Sequence, residues 1–327
     1  MGNGIDPGAG DARGRRYRRR RLLATLAVAV VVGLVAAMPV LAQDGGGTVG
    51  PQVVGGTPVP DGKYRFMTSI QADLSKKRPP YKEHFCGGTL IDANSVMTAA
   101  HCADFIGRRT NANTLGYRDV RLDVGVTVLN TDQGERRRIE RLSDIKIHPD
   151  YNGRRNAKFD VAVIRLARPV NNIEPITLAD PSTGDTLEDP PYDAIVAGWG
   201  DTRPQPPTGG VPSEFPKRMR EASPPLVSDT QCEAAYDRPR VDPSLAVYPA
   251  LMVCAGQTAE DTCQGDSGGP MFVEDATLGR RQIGITSYGL GCGASGYPGV
   301  YTEVNSDSTP GDATVSIYDF ITQAAGL

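Results

Sequence analysis

Short β-rich runs separated by turn residues recur along most of this 327-residue chain. The runs fall at residues 66–74, 88–91, 96–99, 120–129, 161–166, 194–198, 282–288 and 299–304. Glycine (38 residues) and proline (26 residues) are abundant, which favours many turns and short strands over long helices. The spacing predicts an all-β fold, either a barrel or a sandwich.

Helical patterns are few. Residues 229–236 have a short helical pattern flanked by prolines, and Ile317, Phe320, Ile321 and Ala324 follow the i, i+3, i+4, i+7 spacing of one helix face. We therefore predict a helix at each place. The proline-rich segment 202–216 and the polar segment 306–313 are predicted loops with no chemistry of their own.

The N-terminal region has the order of a secretory signal peptide. Residues 13–21 carry seven arginines, residues 22–37 are apolar, and Val40-Leu41-Ala42 offers a cleavage site of small residues. An apolar run of this length is short of the ~20 residues that span a bilayer, so no stable membrane anchor is expected. We predict a signal peptide at 1–42 and a secreted protein, with the general and twin-arginine export routes both open.

Charge and cysteine content restrict the function classes. Residues 1–52 hold seven of the 35 basic residues and three of the 38 acidic residues. Residues 53–327 therefore hold 28 basic and 35 acidic residues, a net charge of −7. The basic arm is thus a targeting feature, and no nucleic-acid partner is expected. Six cysteines, an even number, suit an oxidising compartment.

The stretch 261–270, DTCQGDSGGP, places Ser267 among glycines. A serine hydroxyl needs a base to become a nucleophile, and the oxyanion that it creates needs backbone N–H donors aimed at one point. The pattern also fits the nucleophile elbow of α/β-hydrolases, whose histidine follows the serine. All three histidines of this chain precede Ser267, which excludes that fold.

Two further residues complete a candidate triad. His101 ends the apolar run 97–101, and Cys86 and Cys102 bracket this segment, so that a disulfide could fix the imidazole. Asp160 precedes the apolar run 161–166, and a carboxylate drawn into a buried strand needs a bound partner. His84 and His148 are interpreted as structural residues.

The order His101, Asp160, Ser267 is that of the chymotrypsin-type triad, and from here a family resemblance is plain. The chain resembles secreted trypsin-like serine proteases of the chymotrypsin family over roughly residues 53–325. Its simple layout of signal peptide, propeptide and protease predicts a bacterial source. The motifs that carry the resemblance are VVGG at 53–56, CGGTL at 86–90, TAAHC at 98–102, DVAV at 160–163, GWG at 198–200, GDSGGP at 265–270 and PGVYT at 298–302.

The resemblance implies an all-β fold of two packed six-stranded antiparallel β-barrels with a C-terminal helix, in one protease domain at 53–327. It implies that His101 acts as general base and then acid, that Asp160 orients it, and that the N–H groups of Gly265 and Ser267 form the oxyanion hole. Substrate-binding residues would be Asp261 at the base of a pocket, with Thr262, Ser287, Gly289 and Gly299 around it. A buried carboxylate there implies cleavage after arginine or lysine.

By the same resemblance the cysteines pair as Cys86–Cys102, Cys232–Cys254 and Cys263–Cys292, although sequence alone allows fifteen connectivities. No cofactor or metal is expected, because residues 123–135, where the family's calcium loop would lie, show no convincing ligand set. Tyr288 stands where tryptophan is common. Protein or peptide substrates with Arg or Lys before the cleaved bond, and protein protease inhibitors, are the expected partners of a monomer.

Activation is where the chain departs from the family. The resemblance implies that Val53 becomes a new N-terminus whose ammonium pairs with Asp266. Gln52 precedes Val53, where a trypsin-activated precursor has Arg or Lys, so we expect residues 43–52 to be a propeptide removed by another enzyme. Three arginine runs, at 108–109, 136–138 and 154–155, are interpreted as loops open to self-cleavage.

Two other function classes remain as alternatives. One is a catalytically inactive, protease-like binding module, although such relatives usually lack a triad residue that is present here. The other is a serine esterase, against which Asp261 argues, because it favours a cationic peptide side chain.

Overall fold

The computed structural model describes residues 53–73, 82–107, 115–153, 157–188, 192–239, 241–256 and 259–327. The predicted signal peptide 1–42, the predicted propeptide 43–52 and the arginine pairs 108–109 and 154–155 lie outside these residues.

The described chain forms eighteen short strands, joined by turns and loops. They are β1 (Thr57–Pro58), β2 (Met67–Ala72), β3 (His84–Asp92), β4 (Ser95–Thr98), β5 (Ile106–Gly107), β6 (Leu115–Gly116), β7 (Val120–Val124), β8 (Glu135–Arg138), β9 (Ile145–Ile147), β10 (Ala162–Arg165), β11 (Thr177–Leu178), β12 (Ile195–Gly198), β13 (Arg220–Ala222), β14 (Leu226–Val227), β15 (Met252–Ala255), β16 (Pro270–Asp275), β17 (Gly279–Tyr288) and β18 (Gly299–Glu303).

The strands form two main curled sheets, one from each half of the described chain. The first sheet has seven strands in the order β8-β7-β2-β3-β4-β10-β9, and every pair in it is antiparallel. The second has nine, in the order β1-β13-β12-β16-β17-β18-β15-β14, with β11 added in parallel to β17. β5 and β6 form a separate small pair. This confirms the predicted all-β architecture of two antiparallel halves.

Four helices complete the fold: α1 (Ala100–Asp104), α2 (Gly184–Glu188), α3 (Asp229–Tyr236) and α4 (Ile317–Ala325). Both predicted helices are present. Ser316 caps α4, since its side chain accepts a hydrogen bond from the backbone N–H of Asp319, and Gly326 ends it in the left-handed conformation. Ile317, Phe320 and Ile321 are buried, as the spacing predicts. Among the described residues, none of the helices has the length and apolarity to cross a membrane.

One loop prediction is wrong. Arg136, Arg137 and Arg138 lie in strand β8, paired with Asp123, Leu122 and Arg121 of β7. Three consecutive arginines have no apolar alternation, so no pattern in this run predicts a strand. Ion pairs with carboxylates and the edge position of β8 hold them in the sheet. An extended, hydrogen-bonded strand is a poor protease substrate, which removes this run from the predicted self-cleavage sites.

All three expected disulfides are present, Cys86–Cys102, Cys232–Cys254 and Cys263–Cys292. The first joins β3 to α1, the second joins α3 to β15, and the third closes the segment that carries Ser267. They link residues 16, 22 and 29 positions apart, and a disulfide closing a loop of this size stabilises a fold by about 3 kcal/mol.

Candidate active site

His101 lies in α1, the single helical turn that follows strand β4. Sequence reasoning placed it at the end of a strand, and the chain turns one residue earlier, after the extended Ala99. Ala99 and Ala100 are fully buried, which leaves no room for larger side chains beside the helix. The Cys86–Cys102 disulfide anchors the residue next to His101. The imidazole is thus held on a rigid support and is partly exposed.

Asp160 holds His101 at two points. Its Oδ2 lies 2.8 Å from His101 Nδ1, and its Oδ1 accepts the backbone N–H of His101 at 2.8 Å. The hydroxyl of Ser287 donates to the same Oδ2 at 2.5 Å. Burial by itself would raise the pKa of Asp160, but the charge and hydrogen bonds of His101, with that of Ser287, outweigh it and lower the pKa. Asp160 therefore stays ionised although it is only 2% exposed.

The backbone before Asp160 is in a conformation that L-residues rarely adopt. Phe159 has φ +54°, which costs about 1–3 kcal/mol and persists only where surrounding contacts enforce it. Here the Phe159 ring stacks on His148, with 4.5 Å between ring centroids and 13° between planes. His148 also contacts Phe320 of α4, and burial lowers its pKa. The structural interpretation of His148 agrees with this packing, which fixes the approach to Asp160.

Ser267 lies in a tight turn between β15 and β16. Gly265 and Gly268 have φ +100° and +79°, and the carbonyl of Ser267 accepts the N–H of Gly87 from the first sheet at 2.8 Å. A Cβ on Gly268 would lie 2.2 Å from Thr98 Oγ1, so only glycine fits there. The glycines therefore let the serine turn approach the strand β4 that leads to His101.

Asp266 is buried directly behind this turn. Its carboxylate accepts the backbone N–H groups of Gly200 at 2.8 Å and Cys263 at 3.0 Å. A Cβ on Gly198 or Gly200 would lie 2.1 or 2.4 Å from the carboxylate group, which explains both glycines around the buried Trp199. Burial raises the pKa of Asp266 to about 7, because two backbone donors compensate only part of the lost hydration.

Asp261 is the second buried carboxylate of the same segment. Its Oδ2 accepts the N–H of Gly293 at 2.8 Å, whereas no donor among the described residues reaches its Oδ1. A Cβ on Gly299 would lie 2.8 Å from that free oxygen, so the glycine keeps the space in front of it open. Burial raises the pKa of Asp261 to about 7. One carboxylate oxygen is thus buried without a donor, and a cation that reached it would supply the missing partner.

The remaining pocket residues have distinct neighbours. Thr262 Oγ1 lies 3.1 Å from the hydroxyl of the buried Tyr301, and Gly289 approaches Gly299 without filling the space between them. Ser287, predicted to bind substrate, has its hydroxyl on Asp160 instead of in the pocket. Tyr288 donates to the carbonyl groups of Leu245 and Ala246 at 3.3 and 3.2 Å, which holds the segment after α3 beside the cleft.

His101 and Ser267 line two adjoining cavities. One, of about 260 Å³, is bounded on its other side by Tyr151, Leu245 and Tyr288. The other, of about 490 Å³, is bounded by Phe85, Phe105 and the Cys86–Cys102 disulfide. An extended chain crossing both cavities would pass the serine hydroxyl and the imidazole.

His84 connects the first sheet to the Ser267 turn, a contact that sequence reasoning missed. Its Nε2 donates to the carbonyl of Gly265 at 2.9 Å, and its Nδ1 lies 2.8 Å from Ser69 Oγ. Burial lowers the pKa of His84 to about 4, so the ring is neutral at physiological pH. The sequence held one indication of this role: His84 stands two residues before Cys86, on the strand that leads to the CGG motif.

The region of the expected calcium loop holds carboxylates that are already paired with arginines. Asp123 contacts Arg121 and Arg136, and Glu135 contacts Arg137. Elsewhere in the described residues, one group of side chains places atoms that could bind a metal within 4.8 Å of one another: Cys86, His101 and Cys102. Both sulfurs belong to a disulfide, so neither is a thiolate.

Val53 and Val54 are both buried in the second half of the fold, and Val54 lies against the Asp261–Asp266 segment. Val53 is 1% exposed and packs in the core of the second sheet with Val196 and Met271. Val54 packs against Cys263 and Cys292, and its carbonyl accepts the N–H of Asp261 at 3.0 Å. Val54 is therefore bonded directly to the segment that carries both buried carboxylates.

Comparison with known proteins agrees with this geometry. The sequence model of the family Trypsin matches residues 53–308. The chain is 36% identical over 231 residues to "Trypsin" of Saccharopolyspora erythraea, covering 69% of this chain and 85% of that protein. It is 32% identical over 288 residues to "Trypsin-like protease" of Streptomyces glaucescens, covering 86% and 88%. It is 32% identical over 258 residues to "Venom peptide isomerase heavy chain" of Agelenopsis aperta, covering 78% and 96%.

A curled two-sheet fold with a histidine paired to a buried aspartate, beside a glycine-rich serine turn, defines a chymotrypsin-like hydrolase. The chain belongs to the trypsin family of serine proteases, as the family match over most of its length shows. Proteins are the substrate class of that family.

Proposed function

We propose that this protein is a secreted serine endopeptidase that cleaves after arginine or lysine. The observation that carries the proposal is the buried Asp261, which has one oxygen bound to Gly293 and the other open beside Gly299. A guanidinium or ammonium group entering that space would restore the charge compensation that burial has removed.

The proposed chemistry gives a role to each of three side chains, His101, Asp160 and Ser267. His101 takes the proton of Ser267 Oγ as that oxygen bonds to the carbonyl carbon of the substrate. The resulting oxyanion accepts the N–H groups of Gly265 and Ser267, and loss of one such donor typically costs roughly 2.7–4 kcal/mol of transition-state stabilisation. The C–N bond then breaks, with the proton passing from His101 to the leaving amine, and an acyl-enzyme on Ser267 remains.

Deacylation repeats these steps with water as nucleophile. His101 removes a proton from water, the hydroxyl oxygen bonds to the acyl carbon, and Ser267 leaves with the proton returned by His101. Asp160 keeps Nδ1 of the imidazole as the donor throughout, so that Nε2 faces Ser267. Its lowered pKa supports that role, because a carboxylate ionised at neutral pH stabilises the imidazolium that forms in each step.

Activation is part of the proposal. Release of Val53 would create an ammonium group for Asp266, whose buried carboxylate is bound among the described residues by two neutral backbone donors. Residues 1–42 would direct export, and removal of 43–52 after Gln52 would complete maturation. The three disulfides support an oxidising destination outside the cell.

The test of catalysis and specificity uses matched peptide amides that end in Arg, Lys, Phe or Ala, with protein whose N-terminus is verified as Val53. We expect hydrolysis after Arg and Lys, lost by roughly 10⁴–10⁶-fold in Ser267→Ala. A preference for Phe would contradict the assignment of Asp261. Absence of hydrolysis with Val53 exposed would support an inactive binding module, and hydrolysis of esters without amides would support an esterase.

The test of activation is mass spectrometry of the secreted protein. We expect Val53 as the first residue of the active form. A fully active enzyme that begins at Gln43 would contradict the proposed propeptide.

A further inference from the structure

Five arginines line one concave surface at the edge of the first sheet. They surround a cavity of about 620 Å³, to which a single acidic residue, Glu140, also contributes. We call this surface the arginine groove, defined by Arg118, Arg136, Arg137, Arg138 and Arg168.

Folding assembles the groove from three separate segments. Arg136 to Arg138 belong to the edge strand β8, Arg118 comes from the short turn before β7, and Arg168 follows β10. Residues 53–327 carry a net charge of −7, so this concentration of positive charge is not a consequence of overall composition. None of the five arginines lines the two cavities that contain His101 and Ser267.

Arg137 is the structural member of the groove. Its guanidinium donates to the carbonyl groups of Arg168 and Pro169 at 3.0 and 2.6 Å and contacts the carboxylate of Glu135. Only 12% of its side chain is exposed. It therefore fixes the 168–169 turn against β8, which forms the wall of the groove opposite the strand.

The other four arginines present donors to solvent. Arg136 uses Nε on Asp123, and Arg138 uses one nitrogen on Asp73, yet their side chains are 54% and 50% exposed. Arg118 and Arg168 are exposed and have no carboxylate partner among the described residues. A guanidinium has five N–H donors in a planar fork, so each of these four can still bind a carboxylate.

We propose that the arginine groove binds an acidic, Asp- or Glu-rich segment of the protein substrate, at a distance from the bond that is cleaved. The inference rests on the proposed function, because an endopeptidase brings a polypeptide to this surface. Carboxylates on such a segment match the forked donors of Arg118 and Arg168. The half-exposed Arg136 and Arg138 add further electrostatic attraction for the same carboxylates. The groove thus selects substrates by charge, independently of the residue held at Asp261.

The direct test is binding to the Ser267→Ala protein, which does not depend on catalysis. A fluorescent Glu-rich peptide is compared with the same peptide in which every Glu is Gln, by fluorescence anisotropy. We expect the Glu-rich peptide to bind at least about tenfold more tightly at low ionic strength, and the difference to fall as salt is raised to roughly 0.3 M. Equal binding of the two peptides would overturn the proposal.

Variants locate the binding surface. We expect the double variant Arg118→Gln/Arg168→Gln to abolish most of the preference for the Glu-rich peptide. Arg65→Gln is the matched control, because Arg65 is also exposed, also has no carboxylate partner among the described residues, and lines a different cavity. If Arg65→Gln weakened binding as much as Arg168→Gln, the attraction would come from the overall charge, and the groove would be excluded as a site.

The kinetic test separates this inference from the proposed function. Two substrates share one cleavable Arg bond and differ only in a Glu-rich or Gln-rich tail. We expect the Glu tail to lower KM for the unmodified enzyme and not for the double variant, with a short Arg amide hydrolysed equally by both. Failure to cleave the short amide would count against the proposed function alone. Tight binding of a sulfated oligosaccharide or oligonucleotide, without binding of the Glu-rich peptide, would overturn the assignment of the partner.

Discussion

The Nε2 atom of His84 lies 2.9 Å from the carbonyl oxygen of Gly265, 181 residues further along the chain. The bond ties strand β3 to the turn whose N–H groups are proposed to bind the oxyanion. Ser69 lies at hydrogen-bond distance from the other ring nitrogen, which favours the neutral tautomer that donates from Nε2.

His84→Ala should therefore lower kcat while leaving substrate binding nearly unchanged. The Gly265 carbonyl loses its donor, and the peptide groups of the turn gain freedom to rotate. We expect a loss of roughly 10- to 100-fold, below the roughly 2.7–4 kcal/mol that removal of an oxyanion donor costs. Steady-state kinetics with a short Arg amide measures this effect, and an unchanged kcat in a folded variant would show that the turn holds its shape without His84.

Ser287→Ala tests the support of Asp160. The change removes the hydroxyl that donates to Oδ2, so burial should raise the pKa of Asp160 relative to the unmodified enzyme. A hydrogen bond to a charged group contributes about 1.5–3 kcal/mol, which sets an upper limit of roughly 10- to 100-fold on the loss of kcat. The measurement is the pH profile of kcat/KM. The conservative variant Ser287→Thr keeps a hydroxyl group and is expected to show the profile of the unmodified enzyme. A profile identical to that of the unmodified enzyme would assign Ser287 to substrate contact alone.

The raised pKa of Asp261 predicts pH-dependent binding of cations. The Asp261 carboxyl group has a pKa of about 7, and only its ionised form attracts a cation. Affinity for benzamidine, a planar amidinium, should rise by about tenfold per pH unit below 7 and level off above it. Calorimetry with the Ser267→Ala protein between pH 5 and 9 measures the slope. Asp261→Asn should give weak binding that does not vary with pH, and a pH-independent affinity of the unmodified pocket would refute the assignment.

Gly299→Ala should narrow the substrate pocket. The added Cβ would lie 2.8 Å from Asp261 Oδ1 and 3.1 Å from the Tyr301 hydroxyl, so it competes with the cation for space. We expect kcat/KM for an Arg amide to fall by at least about tenfold. Gly107→Ala is the matched control, because a Cβ there meets nothing within 4 Å. Equal activity of the two variants would show that the cation does not reach the space beside Gly299.

The raised pKa of Asp266 predicts a pH-dependent gain in stability on release of Val53. In the uncleaved chain the folded pKa of about 7 lies above the ordinary 3.8, so the contribution of this group to the free energy of unfolding falls as pH rises from about 4 to 7. The full cost above pH 7 is about 4 kcal/mol. An ammonium partner removes that cost.

The cleaved Ser267→Ala protein should therefore have a higher Tm than the uncleaved protein at pH 8, and nearly the same Tm at pH 4. Thermal unfolding of both forms across this range measures the difference. A Tm difference that does not depend on pH would mean that Val53 stabilises the fold by packing alone.

Much of the candidate site could be read from residue types and order. Ser267 needs glycines on both sides and a base elsewhere, and the number and order of histidines left few candidates for that base. Periodicity identified α3 and α4, and the apolar runs identified most of the central strands, because those patterns report local burial. β8 was missed because its side chains are charged, and its place in the sheet depends on ion pairs with Asp73, Asp123 and Glu135.

Residue types and their order along the chain predict the candidate chemistry: a serine with glycine-supplied backbone donors, a histidine, and carboxylates placed where burial demands a partner. How those groups are held is visible in the folded chain alone. The hydrogen bond from His84 to Gly265, the donation from Ser287 to Asp160 and the assembly of the arginine groove each join segments distant in sequence. Such contacts depend on how two sheets pack, and local residue patterns do not encode distance across a sheet.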